Sequence, residues 1–193
     1  MPAWWRAFLQ YPPKGLPTSE RYPEVSLIAP LGAHQLAGKL DLLAVDRGRE
    51  AVIVDWKTGR QTPRSERERS SWQTCAYQYL LAEAGAPYWG QRSPPPEQIR
   101  MIYWFAEYPA SPVAVSYGLS EHEASRLRLS KQVDLISGLP EAGFVPCMDD
   151  SACGRCMYQT HCGRGRGTEA EVDWELDESA DAWDWADIPE YDY

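Results

Sequence analysis

Three apolar runs follow one another before any long helical pattern begins. Residues 24–30, 35–46 and 51–57 are rich in Val, Ile or Leu and bounded by Gly or Pro, which predicts strands. Ahead of them, residues 1–23 carry Trp4, Trp5, Phe8 and Tyr11, which can form one short helical face. Residues 65–84 change period: Trp72, Cys75, Ala76, Tyr79 and Leu80 fall at helical spacing and predict one helix with a buried stripe. A Pro-rich loop (Pro94, Pro95, Pro96) leads to strands over 100–106 and, more weakly, 113–117. Ser120, with Glu123 three residues on, predicts a capped helix running to Ser137. Three strands in succession make a meander, so the expected fold is α/β, a mixed central sheet flanked by helices.

This pattern divides the chain into a short N-terminal segment (1–23), a core (24–146), a cysteine-rich knot (147–162), and a linker with an acidic aromatic tail (163–193). At 44% hydrophobic, the chain can bury a core and is not disordered throughout. No apolar run approaches the roughly 18 residues of a spanning helix, and no secretory leader is evident; both place the protein in the cytoplasm.

Charge changes the picture only once it is divided. The net charge is -9, yet residues 168–193 alone hold 11 acids and no base. That leaves 17 acids against all 19 bases in residues 1–167, a body near +2 and compatible with a polyanionic partner. The tail interleaves its acids with Trp174, Trp183, Trp185, Tyr191 and Tyr193, and its composition predicts disorder. It serves as a solubiliser, or it docks on a partner or on the basic surface around Arg60, Arg64, Arg67 and Arg69.

The sharpest chemistry lies in Gly38-Lys39-Leu40-Asp41 and Val54-Asp55-Trp56-Lys57-Thr58-Gly59. The two-residue strand period puts Asp55 and Lys57 on one face. A hairpin folded about Gly48 sets Asp41 across from Asp55, where two carboxylates ~4.5–5.5 Å apart can share one divalent cation. Hard oxygen ligands suit Mg²⁺ or Mn²⁺. Lys57 on the same face would orient or deprotonate a water, or offset charge on a phosphorane. Gln73 and Tyr77, at i and i+4, can overlook the same place from the next helix, and Glu24 can add a third carboxylate.

Glu24, Gly38-x-x-Asp41, Asp55-x-Lys57-Thr58-Gly59 and Gln73-x-x-x-Tyr77 together resemble the PD-(D/E)XK nuclease superfamily in its RecB-like branch. The resemblance implies a restriction-endonuclease-like core and metal-dependent DNA cleavage, in repair, recombination or defence. It implies Asp41, Asp55 and Trp56 as metal ligands, Lys57 as the catalytic lysine, Gln73 and Tyr77 as active-site accessories, and Glu24 as a weaker acidic member. A helicase or other repair protein is the implied partner. The competing reading is a catalytically weak or inactive nuclease-like module that binds nucleic acid or a partner protein.

Cys75 sits on the apolar helix stripe and reads as core. Cys147-x₅-Cys153-x₂-Cys156-x₅-Cys162 places four thiols close together, and in a cytoplasmic protein this favours metal ligation over disulfides. Zinc and an iron–sulfur cluster are both open. RecB-like nucleases with an iron–sulfur staple end in the spacing of Cys153, Cys156 and Cys162, and carry their fourth cysteine ahead of the first strand. Here no cysteine precedes Cys75, so either Cys147 supplies the fourth ligand of a [4Fe–4S] cluster or an N-terminal segment is missing.

Overall fold

The computed structural model describes residues 3–59 and 62–143, together with Val145, Cys156 and Cys162. Two compact units divide the chain, Met1–Ser137 and Gly138–Tyr193. Within the second, the described residues form one 3₁₀ turn, Glu141–Gly143, closed by Gly143 N–H donating to the Pro140 carbonyl. The tail, with Cys147 and Cys153, lies outside the described residues, as does Arg60.

The first unit is built on a five-stranded sheet in the order β1 (Glu20–Leu31), β2 (His34–Asp46), β3 (Glu50–Lys57), β4 (Ile99–Phe105), β5 (Val113–Ser116). All neighbours are antiparallel except β3 and β4, which run parallel. A parallel pair needs a crossover. It is supplied by α2 (Ser65–Arg69), α3 (Trp72–Ala84) and α4 (Ala86–Trp89). The result is the mixed sheet with flanking helices expected from the meander. The β2–β3 hairpin turns at Gly48, whose φ of 78 is open to glycine at little strain, and its pairs, such as Asp46↔Glu50 and Leu42↔Val54, are centred on that residue.

α3 is enclosed on two sides. Leu80 and Leu81 join the main core with Leu43, Ile53, Met101 and Tyr103, while Cys75 and Tyr79 pack with Leu31 and Leu129 of α5 (Leu119–Ser137). A helix apolar on opposite sides is a buried helix. The other face of the sheet, with Ala44, Val52, Val54 and Ile102, is covered by the N-terminal segment. There Phe8 of α1 (Ala3–Gln10) meets Trp56 and Trp104 edge to face, at 5.7 and 5.9 Å between ring centres. Among the described residues no helix is long and apolar enough to cross a membrane.

Several local expectations are corrected. The helix expected over 65–84 is two helices, because Ser71 turns extended and caps α3, its Oγ accepting from the Thr74 N–H. Trp72 consequently leaves the buried stripe and is 47% exposed. Ser120 lies inside α5 and does not cap it: its hydroxyl donates to Glu121, and Glu123 pairs instead with Arg126. β1 begins four residues earlier than expected, at Glu20.

The first two strands also change phase. Inward residues on β1 run Tyr22, then Val25, Leu27 and Ala29; on β2 they run Leu36 and Leu40, then Leu43 and Val45. Regular alternation would keep a spacing of two. The break falls at Glu24, which has a positive φ of 54, and beside Asp41, between the pairs Pro23↔Leu42 and Val25↔Leu40.

Candidate active site

The β2–β3 ladder ends at the pair Leu42↔Val54. One residue further the strands separate, and Asp41 Oδ2 accepts the Trp56 N–H at 2.8 Å in place of a main-chain carbonyl. The side chain thus satisfies a backbone donor that the fork would otherwise strand. Asp55, the next residue of β3, is buried on the face toward α3 and only 3% exposed.

Around Asp55 a closed ring of polar contacts forms. Lys57 Nζ lies 2.7 Å from Asp55 Oδ2 and donates to Gln73 Oε1 at 2.6 Å; Gln73 Nε2 donates to Asp55 Oδ1 at 2.5 Å. Burial drives the Asp55 pKa upward, opposed by Lys57 and Gln73 and reinforced by the charge of Asp41. Although Lys57 is close, Asp55 Oδ2 has no hydrogen bond of good geometry and retains lone-pair capacity inside the protein. Tyr77 stands over the same group: burial raises its pKa, Gln73 bonds to it, and the charges of Asp55 and Asp41 both oppose its ionisation.

α3 is held in place by its first turn. The Tyr103 hydroxyl, in register with Asp55 across the parallel pair, lies 3.2 Å from Ser71 Oγ and 2.7 Å from Thr74 Oγ1. Burial pushes the phenol up to about 12, so it stays a neutral hydroxyl within this network. Its ring also lies 5.1 Å beneath the Lys57 ammonium. Sequence reasoning passed over Tyr103 and Thr74, because their value lies in contacts between distant elements. It also missed Glu68, a buried carboxylate whose Oε1 lacks a hydrogen bond, with Arg67 Nε 3.7 Å away.

Gly38 shows why the motif starts with glycine. A Cβ there would lie 2.6 Å from Leu80 Cδ1 and 3.3 Å from the Tyr77 ring. Backbone and α3 therefore approach closely only without a side chain, and this seats Tyr77 over the fork.

Of the residues singled out in the sequence, Asp41, Asp55, Lys57, Gln73 and Tyr77 come together. Trp56 contributes its main chain alone, since its indole packs on the opposite face with Trp104 and Phe8. Glu24 stands apart: its carboxylate is exposed and pairs with Lys39 at 2.8 Å. Cys75 is buried core, as expected. Cys156 and Cys162 carry free thiols, and their companions Cys147 and Cys153 lie outside the described residues.

A hard divalent cation fits the donor set. The buried Asp55 Oδ2 has the Lys57 ammonium as its one close partner, at 2.7 Å and without good hydrogen-bond geometry, and Asp41 keeps its Oδ1 beyond the one engaged by Trp56. Among the described residues no three His, Cys, Asp or Glu side chains converge, so main-chain carbonyls and water would complete the shell, as Mg²⁺ tolerates and Zn²⁺ sites rarely do.

A family model described as the PD-(D/E)XK nuclease superfamily matches residues 4–163. Comparison with curated proteins gives no match. A solved structure titled "Crystal structure of SSO0001" is 16% identical with a TM-score of 0.43, the match covering 74% of this chain and 59% of that one. The family match takes in the whole sheet, the fork at Asp41 and the ring around Asp55, and on it the chain belongs to the PD-(D/E)XK nuclease superfamily.

Proposed function

We propose that the protein is a divalent-cation-dependent deoxyribonuclease of the RecB-like branch. The observation that carries this reading is the closed ring of Asp55, Lys57 and Gln73 beside Asp41. Asp41, Asp55 and the Trp56 main chain hold the cation. When bound, it supplies charge neutralisation on a phosphoryl oxygen and lowers the pKa of water. Lys57 holds its ammonium against the negative charge that builds on the phosphoryl oxygens as the water oxygen–phosphorus bond forms and the leaving P–O bond breaks. The proton released by the attacking water passes to solvent, and the departing oxygen takes one from solvent. Gln73 fixes both Lys57 and Asp55 in a single geometry, and Tyr77 closes the apolar side of the site. The role is repair, recombination or defence, on DNA, in the cytoplasm. Cys147, Cys153, Cys156 and Cys162 hold a [4Fe–4S] cluster or Zn²⁺, and iron, sulfide and zinc analysis of anaerobically purified protein decides between them.

The test uses the full chain on end-labelled single- and double-stranded DNA, with Mg²⁺, Mn²⁺ or EDTA. Cleavage that needs the metal and disappears in Lys57→Ala is expected. Metal-independent products, or cleavage by Lys57→Ala at the parent rate, would overturn the assignment. Binding of DNA by a protein that never cleaves it would leave the inactive-module reading in its place.

A further inference from the structure

A cavity of about 380 Å³ opens on the side of α3 away from Lys57. Its lining comes from four elements and includes Arg69, Gln78, Ser125 and Arg128, with one acid, Glu121. Its size is that of a small-ligand site. Gln78 is 2% exposed, and its Nε2 donates to the Val115 carbonyl at 3.1 Å.

The two guanidiniums are the notable part. Among the described residues neither Arg69 nor Arg128 pairs with a carboxylate; Glu121 accepts from the Ser120 hydroxyl and keeps its charge, so the two guanidiniums leave the lining net positive. Arg128 is nevertheless held in place. Its Nη1 donates to the Ser70 carbonyl at 2.9 Å, and its guanidinium lies 3.9 Å over the Trp72 ring. Stacking and a main-chain acceptor fix a side chain that would otherwise lose much rotamer freedom on binding. A fixed, planar guanidinium on the wall of a cavity that a second unpaired guanidinium also lines calls for an oxyanion, and phosphate is the match.

Position supplies the rest. Trp72 and Ser70 flank the N-terminal turn of α3, whose Gln73 bonds Lys57 and Asp55. A strand whose phosphate sits at Asp41 and Asp55 can pass round this end of α3 and arrive at Arg128. Resting on the nuclease reading, we infer that Arg69 and Arg128 form a second phosphate site that grips the substrate strand on the far side of α3 from the scissile bond.

The test measures binding without cleavage, in full-length Lys57→Ala protein without divalent metal. Oligo(dT) with a 5′-phosphate or a 5′-hydroxyl is titrated over a salt series into the parent, Arg69→Ala, Arg128→Ala, the double variant and Arg128→Lys. Each arginine lost should lower the salt slope by about 0.7, and the double variant should bind about tenfold more weakly at low salt. Arg128→Lys should restore the slope while keeping part of the affinity loss, because it retains charge without the stack on Trp72. Equal losses for both ends assign an internal backbone phosphate; losses confined to the phosphorylated end assign a terminal one. Unchanged affinity and slope in the double variant, with its circular dichroism intact, would overturn the site. Cleavage by the wild type with arginine-independent binding sinks this inference alone. Arginine-dependent binding without any cleavage sinks the nuclease reading and spares the pocket.

Discussion

Two carboxylates lie on this sheet with one strand, β2, between them, and meet opposite fates. Asp55 is buried on the α3 face, pressed between Lys57 and Gln73, and its ionisation is disfavoured by burial. Glu24 is the other; its side chain is 62% exposed and pairs with Lys39 in water. The first is a charge whose solvation the protein has removed and only partly replaced, and such a group gains most from a cation. The second is already solvated, and its ion pair contributes little. Burial separates them more sharply than residue type or position in the motif.

The largest effect that tests this contrast is on catalysis. Asp55→Asn and Lys57→Ala should each lower kcat on DNA by ~100-fold or more, the scale of a lost transition-state contact. The two should separate in thermal melts: added Mn²⁺ should still raise the midpoint of Lys57→Ala and should not raise that of Asp55→Asn. If Lys57→Ala instead loses the metal response and Asp55→Asn keeps it, the assigned roles are reversed.

Next comes the close approach behind the site. Gly38→Val drives a branched side chain into Leu80 and Tyr77. Overpacking of this kind destabilises by ~1–3 kcal/mol, and urea unfolding should show it as a lower midpoint with an unchanged slope. Activity should fall further than stability explains, since Tyr77 must move. Parent-like stability in Gly38→Val would mean that α3 is not seated as tightly as the geometry requires.

These effects fall where the sequence was partly legible. The hairpin about Gly48 could be read because its turn needs a positive φ, and the face shared by Asp55 and Lys57 follows from strand period alone. The break at Ser71 could not, since Trp72 continues the apolar spacing in sequence while the chain turns it outward. The phase change at Glu24 was equally hidden: alternation presumes a regular strand, and a glutamate gives no warning of a φ of 54. The cavity holding Arg69 and Arg128 was invisible, because residues far apart in sequence meet there only after α5 has docked on α3.

The pH dependence of stability sharpens the contrast further. Burial raises the Asp55 pKa above its unfolded value, so the folded state keeps a proton that the unfolded chain has released. The associated stability is fully present below the unfolded pKa and is lost as pH rises through the folded one. In metal-free buffer, Asp55→Asn should therefore melt higher than the parent at pH 7, and the gap should close toward pH 4. Thermal melts of both proteins across that range check it. A gap that stays constant would show that Lys57 and Gln73 fully offset the burial of Asp55.

The smallest expected effect concerns Glu24, and it asks the most of the comparison. Its positive φ strains a residue with a Cβ by ~1–2 kcal/mol, a strain that glycine relieves while adding ~0.5–1 kcal/mol of unfolded-state entropy. The exposed pair with Lys39 contributes ~0–1 kcal/mol on top. These terms nearly cancel, so Glu24→Gly should unfold in urea within ~1 kcal/mol of the parent. Glu24→Gln keeps the backbone and the shape but removes the charge. If the exposed carboxylate takes no part in the chemistry, its kcat should stay within about twofold of the parent and its Mg²⁺ requirement should not shift. A loss of tenfold or more in Glu24→Gln, with stability unchanged, would show that Glu24 swings from Lys39 toward Asp41 when substrate binds. The phase break that places it opposite Asp41 in register would then belong to the active site.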